Sequence, residues 1–194
     1  MTHQVPIEIS GRHLHISQTD LEKLFGVGAQ LTSLKPVSQP DQFAANETVE
    51  IVGPKSSFKV LRIVGPVRSQ TQIELSMTDA RALGLDATLK VSGNLEGTSG
   101  GVKLIGPKGE VDLQDGVIIA QRHLHIEPAK AKEWGIKTGD IVKVKIDGAR
   151  GLVFDQVAVR SHEGIDKLAV HLDTDEANAA GLVSCGMGEL IIEK

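Results

Sequence analysis

Tyrosine is absent from this chain of 194 residues, tryptophan occurs once and phenylalanine four times, so aromatic residues make up only 3% of it. That scarcity argues against a surface that stacks nucleobases, which single-strand binders build from aromatic rings. Cysteine is nearly missing too. With Cys185 alone no intrachain disulfide can form, which fits a reducing compartment. No apolar run approaches the length needed to cross a membrane. The opening Met1-Thr2-His3-Gln4-Val5 has neither a basic start nor a hydrophobic core, so it does not read as a signal peptide. An excess of positive charge is also lacking. The formal net charge of −4 argues against a general nucleic-acid binder, local basic patches aside. What remains is 40% hydrophobic residues, enough for a core, in a length that suits one large domain or two small ones. The expectation is a soluble, cytoplasmic protein with no membrane or nucleic-acid partner.

Histidine is where the sequence is unusual. Arg12-His13-Leu14-His15-Ile16 recurs as Arg122-His123-Leu124-His125-Ile126, and these two copies hold four of the seven histidines. In an extended segment residues i and i+2 share a face. Each copy therefore aims two imidazoles to one side and its leucine to the other. Converging neutral imidazoles are the beginning of a metal site. A single His-x-His is more often a half-exposed pair, and a duplication can carry a pattern passively. A metal reading therefore needs further ligand-type residues downstream of each copy.

Short β-branched, alternating runs dominate the chain. Val5 to Ile9, Thr48 to Val52, Phe58 to Val64, Val67 to Ser76, Val117 to Ile126, Ile141 to Ile146, Leu152 to Val159, Lys167 to Leu172 and Glu189 to Ile192 read as strands. Short helices are expected from Asp20 to Phe25, with Thr19 and Glu22 at capping-box spacing, from Ser76 to Gly84, from Pro128 to Trp134, and after Asp173 up to Gly181, with Asp173 and Glu176 again at capping spacing. Residues 27–47 read as a connecting loop. The glycine-rich stretch from Thr88 to Gly116 has no Gly-Lys-Ser/Thr and no strand-to-helix context, so its glycines read as hairpin turns and not as a phosphate cradle. Many short strands with few, short helices predict a mostly β protein of barrels or sandwiches. The repeat divides it into residues 1–92 and 93–194, with an approximate boundary and an N-terminal strand free to exchange between halves.

The halves also correspond beyond the histidines. Ile73-Glu74-Leu75-Ser76 runs to a glycine-terminated helix at Gly84, and Val170-His171-Leu172-Asp173 runs to one at Gly181. Aligned on the glycines, Glu74 falls on His171. Alone, Glu74 reads as a solvated strand carboxylate and His171 as a hydrogen-bonded core histidine. In register with the two His-x-His copies, they complete two triads: His13, His15 and Glu74, and His123, His125 and His171. Three protein ligands with an open position are the signature of a catalytic zinc site. Such ligands also accept cobalt, nickel or iron.

These stretches, together with Gly65-Pro66-Val67-Arg68-Ser69-Gln70-Thr71-Gln72-Ile73-Glu74 and His171-Leu172-Asp173-Thr174-Asp175-Glu176-Ala177-Asn178, resemble the phosphate acyltransferases of the propanediol-utilisation type. The resemblance covers essentially the whole chain. It implies two related β-barrel domains capped by short helices and two zinc ions per chain held by the two triads. It also implies transfer of a short-chain acyl group, propanoyl or acetyl, between coenzyme A and inorganic phosphate. By the same resemblance, Arg68 is the catalytic, phosphate-binding arginine. The coenzyme A contacts fall on the backbone of Glu8, Ile9 and Ser10 and on Lys55, Arg62 and Asn178. Family members packed into bacterial microcompartments carry an amphipathic N-terminal extension. Too few residues precede the first motif here for the three-turn helix that such a peptide needs, so microcompartment association is expected only if the natural chain starts earlier.

The implied chemistry is phosphate attack on a thioester, with the thiolate stabilised by one zinc. That role is assigned to the centre of His13, His15 and Glu74. Cys185 sits in no reactive-cysteine motif and reads as a bystander, so direct displacement is expected without a covalent intermediate. A dinuclear zinc hydrolase acting on esters or thioesters is the alternative enzyme; it would need neither phosphate nor coenzyme A. A non-catalytic metal-binding module would close each site with a fourth protein ligand, for which His162 and Cys185 are the spare candidates. Self-association into a homo-oligomer stays open.

Overall fold

The computed structural model describes residues 2–165 and 167–193. Along the chain come β1 (Thr2–Ser10), β2 (His13–His15), α1 (Gln18–Phe25), β3 (Ser33–Pro36), β4 (Phe43–Val52), β5 (Ser57–Gly65), β6 (Gln72–Leu75), α2 (Met77–Leu83), β7 (Thr88–Lys90), β8 (Val102–Ile105) and β9 (Glu110–Leu113). There follow β10 (Val117–Ala120), β11 (His123–His125), α3 (Pro128–Trp134), β12 (Ile141–Ile146), β13 (Leu152–Arg160), β14 (Ala169–Asp173), α4 (Thr174–Ala180) and β15 (Gly186–Ile191). The architecture is mostly β, as the β-branched runs predict. No helix among the described residues is long and apolar enough to cross a membrane.

The chain forms two compact units. One comprises residues 12–120. The other comprises residues 1–11 and 121–194. The latter is a closed barrel in the order β1-β14-β11-β13-β12-β15, sealed by antiparallel pairing of β15 with β1. The former is a nine-stranded sheet in the order β7-β10-β6-β2-β5-β4-β8-β9, with β3 paired to β4.

Strand for strand, β10-β6-β2-β5-β4-β8 repeats β1-β14-β11-β13-β12-β15, with the same alternation of parallel and antiparallel neighbours. The strand that leads into one copy of the histidine motif belongs to the unit built around the other copy. The units therefore divide after Ala120 and not near residue 92. Strands β8 and β10 complete the ladders of β4 and β6, while β1 completes those of β14 and β15. For the same reason Val117 to Ile126 is not one strand. It breaks at Gln121-Arg122, where the chain leaves β6 and β7 and enters the barrel. The apolar run Val117-Ile118-Ile119 is buried between parallel neighbours, as such strands are.

Each unit has its own core. Leu14, Ile16, Leu61, Ile63, Ile73 and Leu104 centre the first, and Val5, Ile7, Leu124, Val144, Val170 and Leu190 the second; all are fully buried. Leu14 and Leu124, the residues between the paired histidines, therefore point inward as the period of two requires. Gly116 shows why glycine is needed at one turn. Its φ is +89°, and a Cβ there would lie 2.5 Å from the Thr71 carbonyl oxygen, while its own carbonyl accepts from the Ile73 amide at 2.8 Å. This close approach seats β6.

Three local expectations change. Helix α1 starts at Gln18, ahead of the expected Asp20, because Ser17, extended at φ −76° and ψ 155°, caps it by accepting from the Asp20 amide; Thr19 does not cap it. Part of 27–47 is strand, since β3 pairs with the start of β4. Only Gln72–Leu75 of the run from Val67 to Ser76 is a strand, and Arg68 precedes it, bridging to Ser17. By contrast, Asp173 and Glu176 form the full capping box expected at α4.

Candidate metal centres

The two His-x-His strands pair in the same way. In the antiparallel register His13 faces Glu74, and His123 faces His171. One ligand-type atom from each of His13, His15 and Glu74 lies within 4.8 Å of the others, and the same holds for His123, His125 and His171. Among the described residues these are the groups that could hold a metal ion; His162 and Cys185 belong to neither. His162 is exposed, its Nδ1 donating to the Glu163 carbonyl, and Cys185 is exposed.

In the first centre the two rings meet edge to face, with centroids 4.9 Å apart. His15 Nδ1 donates to the Val64 carbonyl at 3.0 Å, so its Nε2 presents a lone pair. That Nε2 lies 3.8 Å from Glu74 Oε1, and His13 Nε2 lies 3.7 Å from Oε2. Burial lowers the His15 pKa to about 3, with further lowering from His13 and Arg68, so His15 is a neutral imidazole. Two nitrogen donors and a buried carboxylate form a donor set that suits a zinc-like cation. The carboxylate is also held from behind. Ser92 Oγ and Gln72 Nε2 both donate to Oε1 at 2.6 Å, and Gly93 N fixes Gln72 by donating to its Oε1 at 2.8 Å.

The second centre is all imidazole. His123 Nδ1 donates to the Gln121 carbonyl at 2.8 Å, which turns its Nε2 lone pair toward His125 Nε2, 3.0 Å away. His125 Nδ1 is buried and has no hydrogen-bond partner among the described residues. Burial, with His123 next, lowers the His125 pKa to about 2, so His125 is a neutral imidazole. With His171 the two rings make a three-nitrogen donor set of the kind that suits a zinc-like cation. His171 Nε2 sits 3.2 Å from Glu8 Oε2, and Lys167 Nζ lies 3.7 Å from Oε1 of the same carboxylate.

Among the other residues singled out from the sequence, Arg68 lies close enough for its charge to act on His15, and its amide donates to the Ile16 carbonyl at 2.8 Å. Lys55 and Arg62 share its unit. Arg62 faces His13 across β5 and β2 and donates from Nη1 to the carbonyls of Ala45 and Asn46 at 2.8 and 3.2 Å. Lys55 follows β4, its amide bonded to the Leu83 carbonyl. Glu8, Ile9 and Ser10 lie on β1 opposite His171, Leu172 and Asp173 of β14, and Asn178 lies on α4 of that unit.

Sequence reasoning missed Ser92, Gln72 and the Glu8 carboxylate. Ser92 lies in the glycine-rich stretch, where no local pattern distinguishes it from a turn residue. Gln72 falls on the same face as Glu74 by strand periodicity, and that signal could have found it.

Residues 6–183 match the family model for phosphate propanoyltransferase. The chain is 50% identical over 177 residues to the phosphate propanoyltransferase of Thermotoga maritima, covering 91% of this chain and 83% of that one. It is 48% identical over 178 residues to that of Salmonella typhimurium, with the same coverage of each. It is 45% identical over 190 residues to that of Clostridioides difficile, covering 98% of this chain and 90% of the relative.

Proposed function

The chain belongs to the phosphate propanoyltransferase family, and from that premise we propose that it interconverts a short-chain acyl-coenzyme A and phosphate with an acyl phosphate and free coenzyme A. Propanoyl and acetyl are the acyl groups this reading favours. Two zinc ions would be held, one by His13, His15 and Glu74, the other by His123, His125 and His171. In the forward direction a phosphate oxygen forms a bond to the thioester carbonyl carbon, and the carbon–sulfur bond breaks to release the coenzyme A thiolate. When bound, zinc supplies Lewis acidity toward the carbonyl and favours thiolate over thiol; the thiolate role is assigned to the first centre.

The protein's own groups supply position and charge. Arg68 is the phosphate-orienting residue, because a guanidinium can present two parallel donors to a phosphate. The action of its charge on His15 supports a location beside the first centre. His15 and His125, held neutral by burial, keep their lone pairs available. Ser92 and Gln72 occupy one oxygen of Glu74 and leave the other turned toward His13. The backbone of Glu8, Ile9 and Ser10, with Lys55, Arg62 and Asn178, would meet coenzyme A. An exposed Cys185 outside both ligand groups supports direct displacement without an acyl-enzyme. Acyl-coenzyme A and phosphate are solutes of the cytoplasm, and a cytoplasmic location belongs to the same reading.

The observation that carries this reading is the first centre, where two imidazoles and a buried carboxylate converge. The test pairs elemental analysis with phosphate-dependent thiol release from acetyl- and propanoyl-coenzyme A, before and after chelation. About two zinc per chain, with thiol release that requires phosphate and disappears with the metal, is the expected result. Two zinc with no thiol release on either substrate would overturn the acyltransferase assignment.

A further inference from the structure

We propose that Arg12 and Arg122, the arginines that open the two histidine motifs, are positioning residues that lock the ligand-bearing strands in register. This rests on the reading of the two triads as metal centres. Arg12 Nη1 donates to Asp79 Oδ1 at 2.7 Å while its guanidinium lies 4.2 Å over the ring of Phe58. Arg122 Nε lies 3.0 Å from Glu176 Oε1, and its guanidinium lies 5.3 Å from the centroid of Phe154.

The two clamps occupy equivalent places. Asp79 and Glu176 stand at the third position of α2 and α4, at the same remove from the third ligand, 74 to 79 and 171 to 176. Phe58 and Phe154 stand at the same remove from the residues facing His13 and His123, which are Arg62 and Ala158. Each arginine thus ties the start of a His-x-His strand to the helix that begins just after the third ligand, with an aromatic ring of the neighbouring strand beneath it.

The geometry explains why such a tie is useful. Strands β2 and β11 are three residues long, so few ladder bonds hold their register. A slip of one residue would turn both histidines to the opposite face. The clamp spans the antiparallel pair that juxtaposes His13 with Glu74, and His123 with His171, so it resists both slip and splaying. The Arg12 side chain is 41% exposed, and a surface ion pair of this kind adds little to global stability. Its recurrence around both triads, with the same acid position and the same ring position, points to local alignment. Lysine could pair with the acid but could not stack its charge as a planar fork over the ring.

The test measures zinc affinity of the full chain by chelator competition at a temperature well below unfolding, for wild type, R12A, R12K, R122K, D79A and R12A/D79A. Wild type should show two zinc equivalents. R12A should weaken one of them roughly ten- to a hundredfold, as loss of a supporting partner does at metal sites. R122K should weaken the other, and R12K should weaken the same one as R12A. R12A/D79A should be no weaker than R12A, because both remove one clamp. A purely structural role would lower Tm without selectively moving the zinc affinity of one centre. Should R12A fail to fold, R12K and D79A carry the same comparison. Two wild-type zinc equivalents whose affinities stay within about twofold in every variant, or shift together, would overturn the clamp. Absence of zinc binding by wild type would instead overturn the metal reading beneath it.

Discussion

The hydroxyl of Ser92 donates to Oε1 of Glu74 at 2.6 Å, from a turn outside any helix or strand. With Gln72 Nε2 on the same oxygen, it holds the carboxylate plane so that Oε2 faces His13. Removing this hydroxyl should loosen the ligand without removing it. Ser92→Ala is expected to weaken zinc at the first centre roughly tenfold and leave the second unchanged. Chelator competition on the purified variant reads this directly, and unchanged affinity would mean that Gln72 alone suffices.

Glu74 itself should decide metal count. Glu74→Ala leaves two imidazoles in the first centre, and elemental analysis should find the zinc content reduced by one equivalent with the second retained. Glu74→His recreates the three-imidazole set of His123, His125 and His171 at the equivalent register position. It should restore the metal while changing activity. Equal loss from both centres in Glu74→Ala would show that the ligand sets do not divide as proposed.

Arg68 should matter for phosphate more than for folding. Arg68→Ala is expected to raise KM for phosphate by at least about tenfold, the effect of losing a charge-assisted, bidentate contact of roughly 1.5–3 kcal/mol. Steady-state kinetics with phosphate varied at saturating acyl-coenzyme A would measure it. An unchanged phosphate dependence would take Arg68 out of the site.

The buried histidines make the metal-free protein sensitive to acid. His15 and His125 bind protons in the folded state only near pH 3 and 2, against an ordinary 6.5, chiefly because of burial. Below pH 6.5 the unfolded chain therefore binds protons that the folded chain refuses, and stability falls as pH falls. Above 6.5 both states are neutral at these groups and the penalty is absent. Urea midpoints of chelator-treated protein should hold steady above about pH 6.5 and drop as the pH falls from there toward about 3. A constant or rising midpoint would show that these imidazoles are not the controlling groups.

The leucine between each pair of histidines anchors its motif to a core. Leu14 and Leu124 are fully buried, and Leu→Ala at either should cost ~2–5 kcal/mol, read as a loss in denaturant midpoint. Because β2 and β11 are short, zinc affinity should fall with stability in these variants.

Much of this arrangement is legible along the chain. The alternation that sends Leu14 to the core and His13 and His15 to the opposite face of the strand is a local consequence of extended backbone. Aligning Glu74 with His171 required only the helix-ending glycines, and the register places both opposite a motif histidine. The capping box at Asp173 and Glu176 was equally local. The break at Gln121-Arg122 was not, because the run from Val117 to Ile126 has no Gly, Pro, Asn or Asp to mark a turn there. Only the ladder partners, β6 and β7 on one side and β13 and β14 on the other, distinguish its two ends.

Short-range periodicity and a repeat visible by inspection were thus enough for the mostly β character, the duplication and the six ligand-type side chains. Folding in three dimensions was needed to establish that each unit takes the strand preceding the other's histidines, that Ser92 reaches Glu74, and that Arg12 and Arg122 meet Asp79 and Glu176 over a ring. Those contacts join residues far apart in the chain, and their existence depends on strand order and register, which are set by the packing of two cores and not by any local preference.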